Sequence, residues 1–307
     1  ITPDVNTTLV RSNLNSENLI VGSSNSKLYI GEETAPTNSS TITIDGNIDY
    51  VKSNNIQSGS LIYAQGDDLI IGSNVTLQNN INNTTGYGGA ITVYGINQQV
   101  GEDEYLPVAI NANISNCEAT TGGGVCVIDS IASFKGGTIS NCHATGNGGN
   151  VAIISASDQS DTQTLISTYI KYGGNTVTSL REVVSSTNYA FNNETISGGS
   201  AANGGNIYAS NPGADLYIKY STISAGTARY YGGGVYYYSS TSRAISIQYS
   251  KINNNVSEYS AGGLYLAGGN TSSMLDVTFR DDYNNSRGII SNEAAINGGG
   301  LYAVYCE

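Results

Sequence analysis

The sequence predicts an all-β protein, a right-handed parallel β-helix, and three observations carry that prediction. A Gly-Gly-x-φ-x-φ phrase, with φ usually apolar, recurs as GGAITV at Ile91, GGGVCV at Val125, GGNVAI at Val151 and GGNIYA at Ile207, then as GGGVYY at Val235, AGGLYL at Leu264 and GGGLYA at Leu301. A second anchor, Ile followed by Ser or Asn, stands 11 or 12 residues earlier, at Ile114, Ile139, Ile196, Ile223, Ile252 and Ile290. No stretch of ten or more residues combines helical periodicity with good helix formers.

Each element of the repeat follows from these anchors. Five residues before four of the second anchors sits another large apolar residue: Phe134, Phe191, Ile218 or Ile247. Each repeat therefore holds three short β-like pieces joined by Gly, Asn and Ser turns. A strand of four or five residues cannot bury its apolar face alone. Stacking repeats in register pairs each strand with its copy about 4.8 Å away and sends the φ residues into one continuous core. The handedness of parallel crossovers makes the coil right-handed. The first anchors are 34, 26, 56, 28, 29 and 37 residues apart. The interval of 56 reads as two coils of 28, the middle one degenerate around YIKYGGNTVTSLREVV (169–184). A β-propeller blade needs four longer strands, for which 26–29 residues are too few. The expectation is roughly ten coils of about 26–30 residues, about 50 Å long at one strand spacing per coil. Residues 1–68, where KLYIG, TITIDG and SLIYAQG alternate less regularly, are expected to form an N-terminal cap and irregular first coils. Residues 69–307 form the regular helix.

FKGGTISNCHATGNGGNV (134–151) and KINNNVSEYSAGGLYLAGG (251–269) resemble the repeats of polymorphic outer-membrane proteins and related adhesin-like microbial surface proteins, which carry a GGAI-like motif after an FxxN-like one. LIIGSNVTLQNN (69–80) resembles the opening coil of such proteins. The resemblance spans residues 69–305. It departs in having Ile where the family often has Phe, in the degenerate stretch at 155–195, and in lacking a C-terminal autotransporter barrel. It implies a right-handed β-helix, surface exposure and an adhesive role.

Composition narrows the function. The chain of 307 residues has a net charge of −12 with only 12 Lys and Arg. That leaves no basic stripe for nucleic acid or an anionic membrane. Apolar runs of four or five residues span no bilayer. ITPDV opens without a basic or apolar leader, so a signal peptide is absent or already removed. The repeat and the acidic balance, with the surface exposure that the resemblance implies, make a secreted, extracellular or cell-surface protein the expectation.

In-register stacking turns equivalent residues into ladders. The residue after φ points outward, and there the later coils place Tyr208, Tyr236, Tyr265 and Tyr302, with Tyr238 on the same face. Fourteen of the 23 tyrosines lie beyond residue 200. This aromatic face is expected either to stabilise the sheet through same-face neighbours or to engage a glycan or protein surface. Asn116, Asn141, Asn254 and Asn292 occupy one corner site and read as a structural amide ladder. Cys117 and Cys142 fall at the next position, stacked as either a disulfide or two free thiols. One histidine and no C-x-x-C argue against a zinc site.

No catalytic constellation stands out. A lyase needs a base and a hydrolase a tight carboxylate cluster. The acid pairs Asp67–Asp68 and Asp281–Asp282 (beside Arg280) are local and unmatched in neighbouring coils. His143 has no evident nucleophile partner. Asp45, Asn47 and Asp49 mimic half a calcium loop, but Tyr50 and Ile56 stand where its Gly and Glu belong. Sequons such as Asn74 and Asn193 follow from the composition, and isolated T-x-T phrases do not make an ice-binding array. No metal or other cofactor is expected. The expectation is a non-catalytic surface β-helix that binds a glycan or protein through the tyrosine face. The alternatives are a subunit assembling end to end with copies of itself and a polysaccharide lyase or hydrolase.

Overall fold

Successive coils stack in register as parallel strands, and the chain is a parallel β-helix. The computed structural model describes residues 6–12, 18–22, 27–31, 40–65, 68–95, 98–99, 105–106, 108–155, 189–212, 214–280 and 287–307. One coil shows the plan: a first strand Ala132–Lys135, a second Thr138–Ser140, a third His143–Ala144 and a fourth Val151–Ile154. Stacked copies of these make four parallel sheets of eight, nine, six and nine strands. The coil thus carries one strand more than the three read from the sequence. The additional one, the third, covers two to five residues between the two sequence anchors, too few to show a period.

The fourth sheet counts nine coils among the described residues. The interval of 56 is one coil and not two. Val151 is hydrogen-bonded in register to Ile207, and Phe134 to Phe191, so no coil stands between them. The stretch at 169–184 lies outside the described residues. In the second coil a short helix, Ile48–Ser53, occupies the place of the third strand, and Lys52 on it reaches Glu118 at the start of the third sheet.

The core is the stack of inward residues. Ile114, Ile139, Ile196, Ile223 and Ile252 pair in series and are all at most 1% exposed. Their next partner is Ile289, not Ile290, which points outward and is 37% exposed. The other apolar ladder runs Phe134, Phe191, Ile218, Ile247 and Phe279, with the two leading rings stacked at 4.6 Å. Each fully buried member contributes about 1.5–3 kcal/mol by leaving water. The last described coil has this core open on one side, with Leu301 38% and Phe279 46% exposed.

Asparagine serves the corner after the second strand in two different ways. Asn79, Asn116, Asn141 and Asn254 take the left-handed conformation there, φ 53–55°, which Asn tolerates better than other residues with a side chain. Gly198, Ala225 and Ser291 fill the same place in other coils. Asn292 therefore lies one position further on, and belongs to a buried ladder inside the coil. In that ladder Asn150 donates to Asn206, Asn206 to Asn255 and Asn255 to Asn292, at 2.8–3.0 Å. The first two come from the Gly-Gly-Asn turn, the others from the residue after the corner. Cys117 and Cys142 occupy this second place as free thiols, each donating to the carbonyl two residues earlier. Burial, followed by the presence of Cys142, pushes the Cys117 thiol up.

Candidate functional site

The fourth strand alternates, so its second residue faces outward on every coil. Register carries Tyr208 onto Tyr236, Tyr236 onto Tyr265 and Tyr265 onto Tyr302. Their rings stack at 4.9, 4.9 and 5.5 Å, nearly parallel at 14°, 1° and 14°. The first two spacings match the separation of hydrogen-bonded strands, so the backbone sets ring distance. Each contact contributes about 0.5–1.5 kcal/mol beyond area burial. Tyr231, at the end of its third strand, adds a tilted contact to Tyr265 at 5.0 Å and an edge contact to Tyr259 at 5.7 Å. Tyr238 stands half-buried on the same face, without a ring stack to a described aromatic. Tyr237, between the two outward rings, points into the core and is fully buried.

Stacking decides what the face can offer. The rings of Tyr236 and Tyr265 are covered on both faces by their neighbours, so a ligand meets ring edges and a rail of hydroxyls. Burial first, then the surrounding tyrosines, raises the Tyr236 and Tyr265 pKa values, which keeps both hydroxyls as neutral donors. Earlier coils differ at this position: Thr92, Cys126 and Ala152 face the same way but are buried, the latter two packed with Tyr94, Ile128 and Ile154 against Tyr208. The open face therefore begins at Tyr208.

A second aromatic group escaped the sequence reading because it lies at a corner, not on a strand. Tyr220 and Tyr249 stack at 5.1 Å, both in the left-handed conformation with φ 52° and 50°. Lys219 and Arg287 lie over Tyr220, and Arg280 and Arg287 over Tyr249, at 5.1–6.0 Å. Bulky residues in that conformation are strained. Equivalent corners use Gly136 and Asn193, and equivalence between coils is the signal that singles the tyrosines out.

Among the described residues no three His, Cys, Asp or Glu side chains gather into one cluster. Asp67, Asp281 and Asp282 lie outside the described residues, and Asp68 opens a strand of the first sheet. Asp45 accepts from the Asn47 backbone and from the Gln78 and Asn79 amides at 2.7–2.9 Å, so its oxygens serve the turn. His143 does have a hydroxyl partner, contrary to the sequence expectation: its Nδ1 lies 2.7 Å from Ser200 Oγ on the next coil. Glu118 stands on the other side of His143 in the same ladder, but its carboxylate is bound to Lys52 Nζ at 2.5 Å.

No family model, curated protein or solved structure matches this chain.

Proposed function

We propose that this chain is a non-catalytic extracellular or cell-surface β-helix that adheres to a glycan or protein surface through the tyrosine face. The observation that carries this reading is the in-register ladder Tyr208–Tyr236–Tyr265–Tyr302, broadened by Tyr231 and Tyr259. Rings held by one another lose little freedom on binding, and tyrosine combines apolar edges with a hydroxyl. The resemblance of the repeats to adhesin-like surface proteins supports the same reading.

The setting of His143 supports a non-catalytic role. A serine nucleophile needs an imidazole oriented by a third group, and the nearest acid in the ladder is engaged with Lys52. Turnover of uronate polymers or other polysaccharides would overturn this part of the reading.

Paired variants test the face. Tyr236→Ser with Tyr265→Ser should weaken attachment to immobilised glycans and intact cells at least tenfold, about 1.4 kcal/mol, while circular dichroism stays β-rich. Tyr236→Phe with Tyr265→Phe keeps the stack and isolates the hydroxyls. Attachment unchanged in the serine pair would assign the ladder to sheet packing alone.

A further inference from the structure

The third sheet carries a groove of about 450 Å³ whose origin is readable in the chain. From the third strand to the Gly-Gly turn, one coil runs Ala201-Ala202-Asn203-Gly204, a residue shorter than Ala228-Arg229-Tyr230-Tyr231-Gly232 above it and Ala144-Thr145-Gly146-Asn147-Gly148 below. The register shifts there, between Ala201 and Asn203. A coil that is both short and built of Ser and Ala leaves a depression between longer neighbours. Bulges of this kind re-aim side chains and recur at functional sites.

The chemistry of the walls is specific. On one side His143 is fixed by Ser200, with its Nε2 free of partners among the described residues. On the other, Arg229 and Glu258 line the groove from successive coils, both exposed and with no ion pair between them within 4 Å. Arg229 lies over the Tyr230 ring at 5.2 Å. Thr145 and Thr227 add hydroxyls, and alanine methyls form the floor. Arg229 and Glu258 bring opposite charges to the lining, so together they give it no excess of either sign to select an acidic or a basic ligand. Planar groups with two hydrogen-bonding atoms, such as a guanidinium and a carboxylate, suit adjacent hydroxyls. The rings of Tyr230 and Tyr259, which directly follow Arg229 and Glu258, are 41% and 47% exposed.

We infer that this groove is a binding site for an uncharged sugar residue, held by His143, Ser200, Arg229 and Glu258. It lies on the third sheet and stands independently of the tyrosine ladder on the fourth.

His143 is the single histidine of the chain, so its imidazole gives one NMR signal that reports on the groove. The probes are methyl glucoside, methyl galactoside, methyl mannoside and their disaccharides, with glucuronate and glucosamine as charged comparators. A saturable shift of that signal with at least one neutral probe is expected. Ala202→Trp, which fills the depression from an accessible position, should weaken the response at least tenfold, and Arg229→Gln by a similar factor. The ladder variant Tyr236→Ser/Tyr265→Ser should keep it. No shift with any neutral probe, a shift with glucuronate or glucosamine alone, or one surviving Ala202→Trp, would overturn the assignment. So would loss in the ladder variant with the fold intact, which would place the sugar on the tyrosines.

Discussion

Glu194 is 2% exposed, its Oε2 accepting from the Gly137 N–H at 2.9 Å. Burial raises its pKa to about 8, and the Gly137 hydrogen bond opposes that shift. The folded state therefore binds this proton more tightly than the unfolded chain does. Its stabilising effect is complete below the unfolded value near 4.5 and is lost as pH rises toward about 8. Glu194→Gln should flatten this part of the profile and raise the melting temperature at pH 8, by an amount worth on the order of a few kcal/mol. Melting curves between pH 5 and 8 check it; a wild-type profile flat across that window would contradict the buried proton. Nothing in the isolated phrase NNETIS marks Glu194 as buried. It reaches over Gly137 only because coil stacking puts a glycine beneath it.

At the scale of the strand and its turn, neighbouring positions answer opposite demands. Ala225 sits at the corner with φ 51°, where a side chain is strained. Ala225→Gly should be neutral or stabilising by up to about 1 kcal/mol, the relief of strain offset by chain entropy. The next residue, Gly226, makes room for the buried asparagine ladder. A Cβ there would lie 2.5 Å from Asn206 Nδ2 and 2.2 Å from the Gly233 carbonyl. Gly226→Ala should cost about 2–4 kcal/mol by displacing a satisfied buried amide or the backbone. Denaturant titration of the two variants reads the opposite signs. The Tyr208–Tyr302 ladder was legible in the sequence because alternation within a strand and repetition between coils fix direction and partner together. The buried asparagine ladder was only partly legible. Its members come from two different turns, so no single sequence position repeats.

For the molecule as a whole, misreading one interval hid one contact. Taking residues 151–207 as two coils separated His143 from Ser200 by a full turn, whereas register makes them neighbours. Ile153–Ala209 and Phe134–Phe191 pair directly, so the strands on either side of the intervening segment are neighbours in register. Replacing residues 157–187 with a short Gly-Ser linker should leave a cooperative, β-rich unfolding transition. Loss of β-structure by circular dichroism would show that the segment carries part of the core.

The sequence by itself determined the β-helix, its inward Ile, Val and Phe ladders and its outward tyrosines, since each follows from local alternation repeated at nearly constant spacing. Tertiary structure decided the rest: the short third strand of the coil, the true neighbours across the long interval, the covering of each tyrosine ring by the next, and the groove over one short coil. These depend on which residues lie one strand spacing apart across the stack. An insertion or a single missing residue changes that adjacency while leaving the local pattern untouched.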